Sequence, residues 1–102
     1  MVNKDDIKTS VLKRIEKTHD LLEKLKSKNT LAYLQGLHSI KTDYESIEDF
    51  DKACKYAYII IDLLSRNVIE YEHNPENDEL VNDIWVTAYD TRARQGDFES
   101  FC

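Results

Sequence analysis

Residues 46–71, SIEDFDKACKYAYIIIDLLSRNVIEY, decide the fold. Ile47, Phe50, Cys54, Ala57, Ile61, Leu64, Val68 and Tyr71 recur at steps of three and four, the period of one face of an α-helix. Ser46 and Asp49 open the stretch with the spacing of a capping box. The pattern predicts a helix running to about Tyr71 and broken at Asn74-Pro75. Tyr56, Tyr58, Ile59, Ile60 and Leu63 carry the apolar surface beyond a single stripe. No helix of a four-helix domain is fully surrounded, so this surplus points to a homo-oligomer, or a bound partner, through helix three.

The flanking chain repeats the period. Val11, Ile15, Thr18, Leu22 and Leu25 form one stripe on a helix expected from about Lys4 to Lys26, with Asn3 as its cap. Lys24, Lys26 and Lys28 gather at its end, where the helix dipole favours cations. Residues 27–30 read as a turn with Thr30 as the next N-cap. Leu31, Leu34, Leu37 and Ile40 mark a short second helix. Gly36 in its middle weakens it by about 1 kcal/mol relative to alanine and suggests a kink or a close helix approach. After Pro75, Leu80, Val81, Ile84, Trp85, Ala88 and Tyr89 define a fourth helix, which Gly96 is expected to stop. The two Phe of residues 97–102 suggest a tail folded back on the bundle.

One hundred and two residues with 41% hydrophobic and 33% charged content suit one globular domain, 1–102. Two Gly and one Pro favour long elements over a turn-rich β-sandwich. Short connections favour antiparallel neighbours. The expected fold is therefore all-α, a single antiparallel four-helix bundle with a short C-terminal tail packed back. The charged start carries no leader pattern, and the most apolar run is too short to span a bilayer. Two cysteines, Cys54 and Cys102, are too few for a disulfide framework, which makes a cytoplasmic location the expectation.

Net charge is −6, divided between about +4 over residues 1–41 and −10 over 42–102. A nucleic-acid partner needs a basic footprint and is disfavoured. There is no glycine-rich phosphate loop, so no cofactor is implied. Cys54 reads as a small core residue and His38 as a histidine at a helix edge. The acidic group Asp43, Glu45, Glu48, Asp49 and Asp51 fits the start of helix three.

The sequence RNVIEYEH, Arg66 to His73, resembles the Arg-x(4–6)-His signature of HEPN ribonuclease domains. The resemblance implies a helical domain in which Arg66 and His73 promote RNA transesterification, usually across a dimer. The spacing is the longest the signature permits, and the motif ends a helix here where the family places it at the start of its last helix.

Glu-x-x-His occurs at Glu16–His19 and Glu70–His73, the spacing used by di-iron bundles. Ile15 and Thr18 face inward on the first helix, so Glu16 is turned off that face, and Val68 and Tyr71 leave Glu70 outside on the third. The expectation is no metal.

Glu76, Asp78 and Glu79 sit in the first turn of helix four, where the dipole favours them. Glu70 and Glu72, read as the last turn of helix three, break the same rule. Either Lys24, Lys26 and Lys28 neutralise them or a basic partner does. Trp85 and Tyr89 offer aromatic anchors of the kind that carry interfaces, unless they only pack the core. The expected function is a non-enzymatic acidic binder that occludes or steers a protein with a basic surface, of the inhibitor, immunity, antitoxin or phage-accessory kind. Its binding residues would be Glu70, Glu72, Glu76, Asp78, Glu79, Trp85 and Tyr89. A HEPN-like ribonuclease and a subunit of a larger homo-oligomer are the alternatives.

Overall fold

The computed structural model describes residues 4–99. Four helices follow one another: α1 Lys4–Glu23, α2 Leu31–Ser46, α3 Phe50–Ser65 and α4 Pro75–Glu99. Among the described residues there is no strand, and the all-α four-helix bundle holds. Asn3 lies outside the described residues, as does the end of the C-terminal tail.

Each helix packs on the next in sequence, and α2 also touches α4. The core is a single cluster drawn from all four: Val11, Ile15 and Leu22 from α1; Leu34, Leu37 and Ile40 from α2; Ala57, Ile60, Ile61 and Leu64 from α3; Val81, Ile84 and Ala88 from α4. Thus α1 and α4 form the two edges. Among the described residues no Cα of α1 comes within 8 Å of a Cα in α3 or α4.

Helix ends explain where expectation and structure part. Both α2 and α3 finish in Schellman motifs. Beyond α2, the Asp49 N–H donates to Tyr44 O at 2.9 Å and Glu48 N–H to Glu45 O at 3.0 Å, with Glu48 left-handed at φ 61°. Ser46 therefore closes α2 instead of opening α3. Asp49 caps α3 by accepting from Lys52 N–H. Beyond α3, Val68 N–H donates to Leu63 O and Asn67 N–H to Leu64 O, with Asn67 at φ 56°. Asparagine tolerates that conformation better than most side chains. Helix three consequently ends at Ser65, six residues before the expected Tyr71. Gly96 does not stop α4, which runs through it to Glu99.

Two joints fix α1 on α2. Leu22 lies over Gly36 so closely that an added Cβ there would meet Leu22 Cγ at 3.1 Å and Cδ1 at 3.2 Å. The guanidinium of Arg14 grips Asp43 with two parallel bonds, Nε to Oδ2 at 3.0 Å and Nη2 to Oδ1 at 2.7 Å. The α2–α4 seam is polar: buried Lys41 donates to Glu45 Oε1 at 2.9 Å and Thr91 Oγ1 at 3.0 Å. Arg94 lies on the other oxygen of Glu45 at 3.7 Å. Asp43 and Glu45 thus fasten helices together rather than serving the start of α3.

Much of the apolar surplus of α3 packs inside the chain. Ile60 and Ile61 are buried, and Tyr56, Ile59 and Leu63 pack partly buried against the core. Phe50 is the exposed large apolar residue of this helix. Cys54 is fully buried and disulfide-bonded. It is a core residue, as its place in the apolar period implies. Among the described residues no helix is long and apolar enough to cross a membrane.

Candidate protein-binding surface

Residues 66–74 connect α3 to α4 as a turn followed by extended chain. Ile69 is buried in the core and Val68 is half-buried. The Glu70 N–H donates to Asn29 O at 2.6 Å, and Thr30 and Glu70 form an isolated parallel bridge. This tie brings the α1–α2 loop beside the acidic segment. Asn74 then caps α4 by accepting from Asn77 N–H at 2.8 Å, with Pro75 at the first helical position. Asn77 Nδ2 donates back to Glu72 O at 2.9 Å.

Glu70 and Glu72 therefore lie on an extended segment, not in a last helical turn, and no dipole penalty acts on them. Glu70, Glu72, Glu76, Asp78 and Glu79 are all exposed. Asp78 Oδ1 gathers a small cluster: Tyr71 Oη donates to it at 3.4 Å, and His73 Nδ1 lies 3.1 Å away. The Tyr71 and His73 rings meet at 4.4 Å. Burial, then the Asp78 charge and its hydrogen bond, raises the Tyr71 phenol above its ordinary value. The lysines Lys24, Lys26 and Lys28 are exposed. Among the described residues, none of them forms an ion pair with Glu70, Glu72, Glu76 or Glu79.

The two aromatic candidates fare differently. Trp85 is half-buried against the core, and its Nε1 is buried with no hydrogen-bond partner. It serves packing first. Tyr89 is 44% exposed, but it stands three turns beyond Asp78, about 16 Å along the helix. Its ring neighbour is the Arg92 guanidinium, 5.9 Å from the centroid. The structure thus brings Glu70, Glu72, Glu76, Asp78 and Glu79 to one end of the bundle and leaves Tyr89 farther along α4.

Arg66 and His73 are held by different carboxylates. Arg66 Nη1 pairs with Asp62 at 3.1 Å and His73 with Asp78, all four side chains being more than half exposed. An aspartate on Nδ1 orients an imidazole, and this side chain is 72% exposed. On α1, Glu16 is exposed and His19 pairs with Glu23 at 3.7 Å. Among the described residues, no group of three or more His, Cys, Asp or Glu gathers in metal-binding geometry. A cleft of about 460 Å³ lies at the opposite end of the bundle, between Ile7 and Lys8 of α1 and residues 46–48.

Sequence reasoning missed the buried charges Lys41 and Asp43, which are 2% and 6% exposed. The Lys41/Glu45 spacing of four residues was the available signal. It also missed that Nδ1 of the half-buried His38 is buried without a partner.

No protein-family model matches the chain, and no curated protein or solved structure matches it significantly.

Proposed function

We propose that the chain is a non-enzymatic binding module that covers a basic surface on a partner protein, acting by occlusion. The observation that carries this reading is the exposure of Glu70, Glu72, Glu76 and Glu79 without an ion pair among the described residues, although the lysine-bearing α1–α2 loop is hydrogen-bonded alongside. Carboxylates left this way contribute nothing measurable to stability. They raise the encounter rate with a positively charged surface and select for it. The segment is also pre-ordered by the Glu70–Asn29 bond and the Asn74 cap, so little chain entropy is lost when it docks. Inhibitors, immunity proteins, antitoxins and phage accessory proteins are the kinds of protein that work this way.

The test begins with a partner recovered from the native host by the full chain and identified. Glu70→Lys with Glu72→Lys should weaken its capture about tenfold or more and flatten the salt dependence. Arg66→Ala with His73→Ala should leave capture unchanged. Cleavage of RNA by the wild-type chain that vanishes in the Arg66/His73 pair of variants would sink the binder reading in favour of a HEPN-like ribonuclease.

A further inference from the structure

The two edge helices carry stripes of opposite charge in matching register. On α1 and its immediate end, Lys17, Leu21 and Lys24 follow at steps of four and three. On α4, Asp90, Val86 and Asp83 follow at the same steps read backwards, and Glu79 continues the row one turn on. All seven side chains are exposed. Leu21 and Val86, at 60% and 53%, are the most exposed large apolar residues among those described. Isolated apolar residues on a surface are ordinary. Here each stands in the middle of a charged row, on a helix whose outer side has no neighbour.

We infer that the α1 edge of one molecule docks antiparallel on the α4 edge of a second copy, Leu21 against Val86, with Lys17 opposite Asp90 and Lys24 opposite Asp83. The register selects the antiparallel arrangement: it puts all three pairs in step, whereas a parallel one that keeps both charged pairs sets Leu21 one residue off Val86. None of these charges forms an ion pair within the chain among the described residues. Neighbouring charges are committed elsewhere: Arg14 to Asp43, Arg94 to Glu45, and Arg92 over the Tyr58 and Tyr89 rings. Asp20 borders the α1 row on its far flank and leaves the facing row basic. The α1 and α4 edges of one chain do not meet, so the contact is heterologous and propagates from copy to copy instead of closing within a molecule. One helix pair with a single apolar contact gives a weak, salt-sensitive association.

This inference goes beyond the binder reading. It shares Glu79 with that surface but is centred farther along α4, at Val86, and leaves Glu70 and Glu72 open. Sedimentation of the full chain over a wide concentration range, at low and high salt, tests it. The average mass should rise with concentration at low salt and fall back as salt is added. Lys17→Glu with Lys24→Glu should lower the association constant about tenfold, and so should Asp83→Lys with Asp90→Lys. Mixing the two variants, or combining all four changes in one chain, should restore association. Glu70→Lys with Glu72→Lys should leave it unchanged, which separates this contact from the partner surface. A one-chain mass at every concentration, or an association indifferent to the reversals, overturns the inference.

Discussion

At Gly36 the space a side chain would fill already holds Leu22. Alanine there would gain about 1 kcal/mol of helix propensity, but it would overpack the α1–α2 joint at a cost of about 1–3 kcal/mol. The expected outcome for Gly36→Ala is a net loss of about 1 kcal/mol in urea unfolding. In a Leu22→Ala background the obstacle is gone, and the same substitution should become neutral or stabilising. A double-mutant cycle with no coupling between the two sites would contradict that packing. His38 makes a second residue-scale case. Burial lowers its pKa below the ordinary 6.5, Lys41 adds to the shift, and Glu45 and Asp83 oppose it. Its Nδ1 has no partner to reward a proton. The unfolded chain takes up the proton first, so its stability contribution is complete above about pH 6.5 and is lost as pH falls from there through the folded-state pKa. Melting temperatures should drop between pH 7 and pH 5, and His38→Gln should flatten that part of the profile.

Helix cores are written in the apolar period, whereas helix ends are settled by one or two backbone conformations. That difference decides how much of this fold was legible. Leu34, Leu37, Ile40, Ala57, Ile61, Leu64, Ile84 and Ala88 were readable as interior, and all are buried. The α2–α3 junction was not, because its turning residue is Glu48, a poor left-handed former that carries no turn signal. The end of α3 was misread because Val68 and Tyr71 continue the period by coincidence while Asn67 turns the chain. That misreading placed Glu70 and Glu72 on a helix, under a dipole penalty that the extended segment does not impose. Lys41 and Asp43 escaped because a charged residue is taken as exposed until its partner on another helix, Thr91 or Arg14, is known. The Schellman end of α2 yields its own prediction. Glycine adopts a positive φ without steric cost, so Glu48→Gly should stabilise the chain by about 0.5–1 kcal/mol in chemical denaturation. A loss instead would mean that the Glu48 side chain contributes more than its strain.

The four helices do not share the core equally. Helix α3 lies between α2 and α4, while α1 rests on α2 alone. Among the described residues three α1 side chains are buried, Val11, Ile15 and Leu22, and Ile7, Leu12 and Leu21 remain well exposed. Beyond those three, α1 is held by the Arg14 fork on Asp43, and the arginine is itself 60% exposed. Local opening free energies follow the apolar area an element buries and the number of neighbours that hold it. Native-state hydrogen exchange should therefore find α1 amides opening at a lower free energy than those of α3, which should exchange only by global unfolding. Leu22→Ala removes one of three buried anchors and should deepen the difference, with α1 protection falling more than α3 protection. Self-association through the α1 edge would act in the opposite direction, since a contact made only by folded α1 stabilises it by mass action. Protection of α1 should then increase with protein concentration at low salt while α3 changes little. Uniform protection across all four helices, unmoved by Leu22→Ala, would show that α1 is part of one cooperative unit despite its single neighbour.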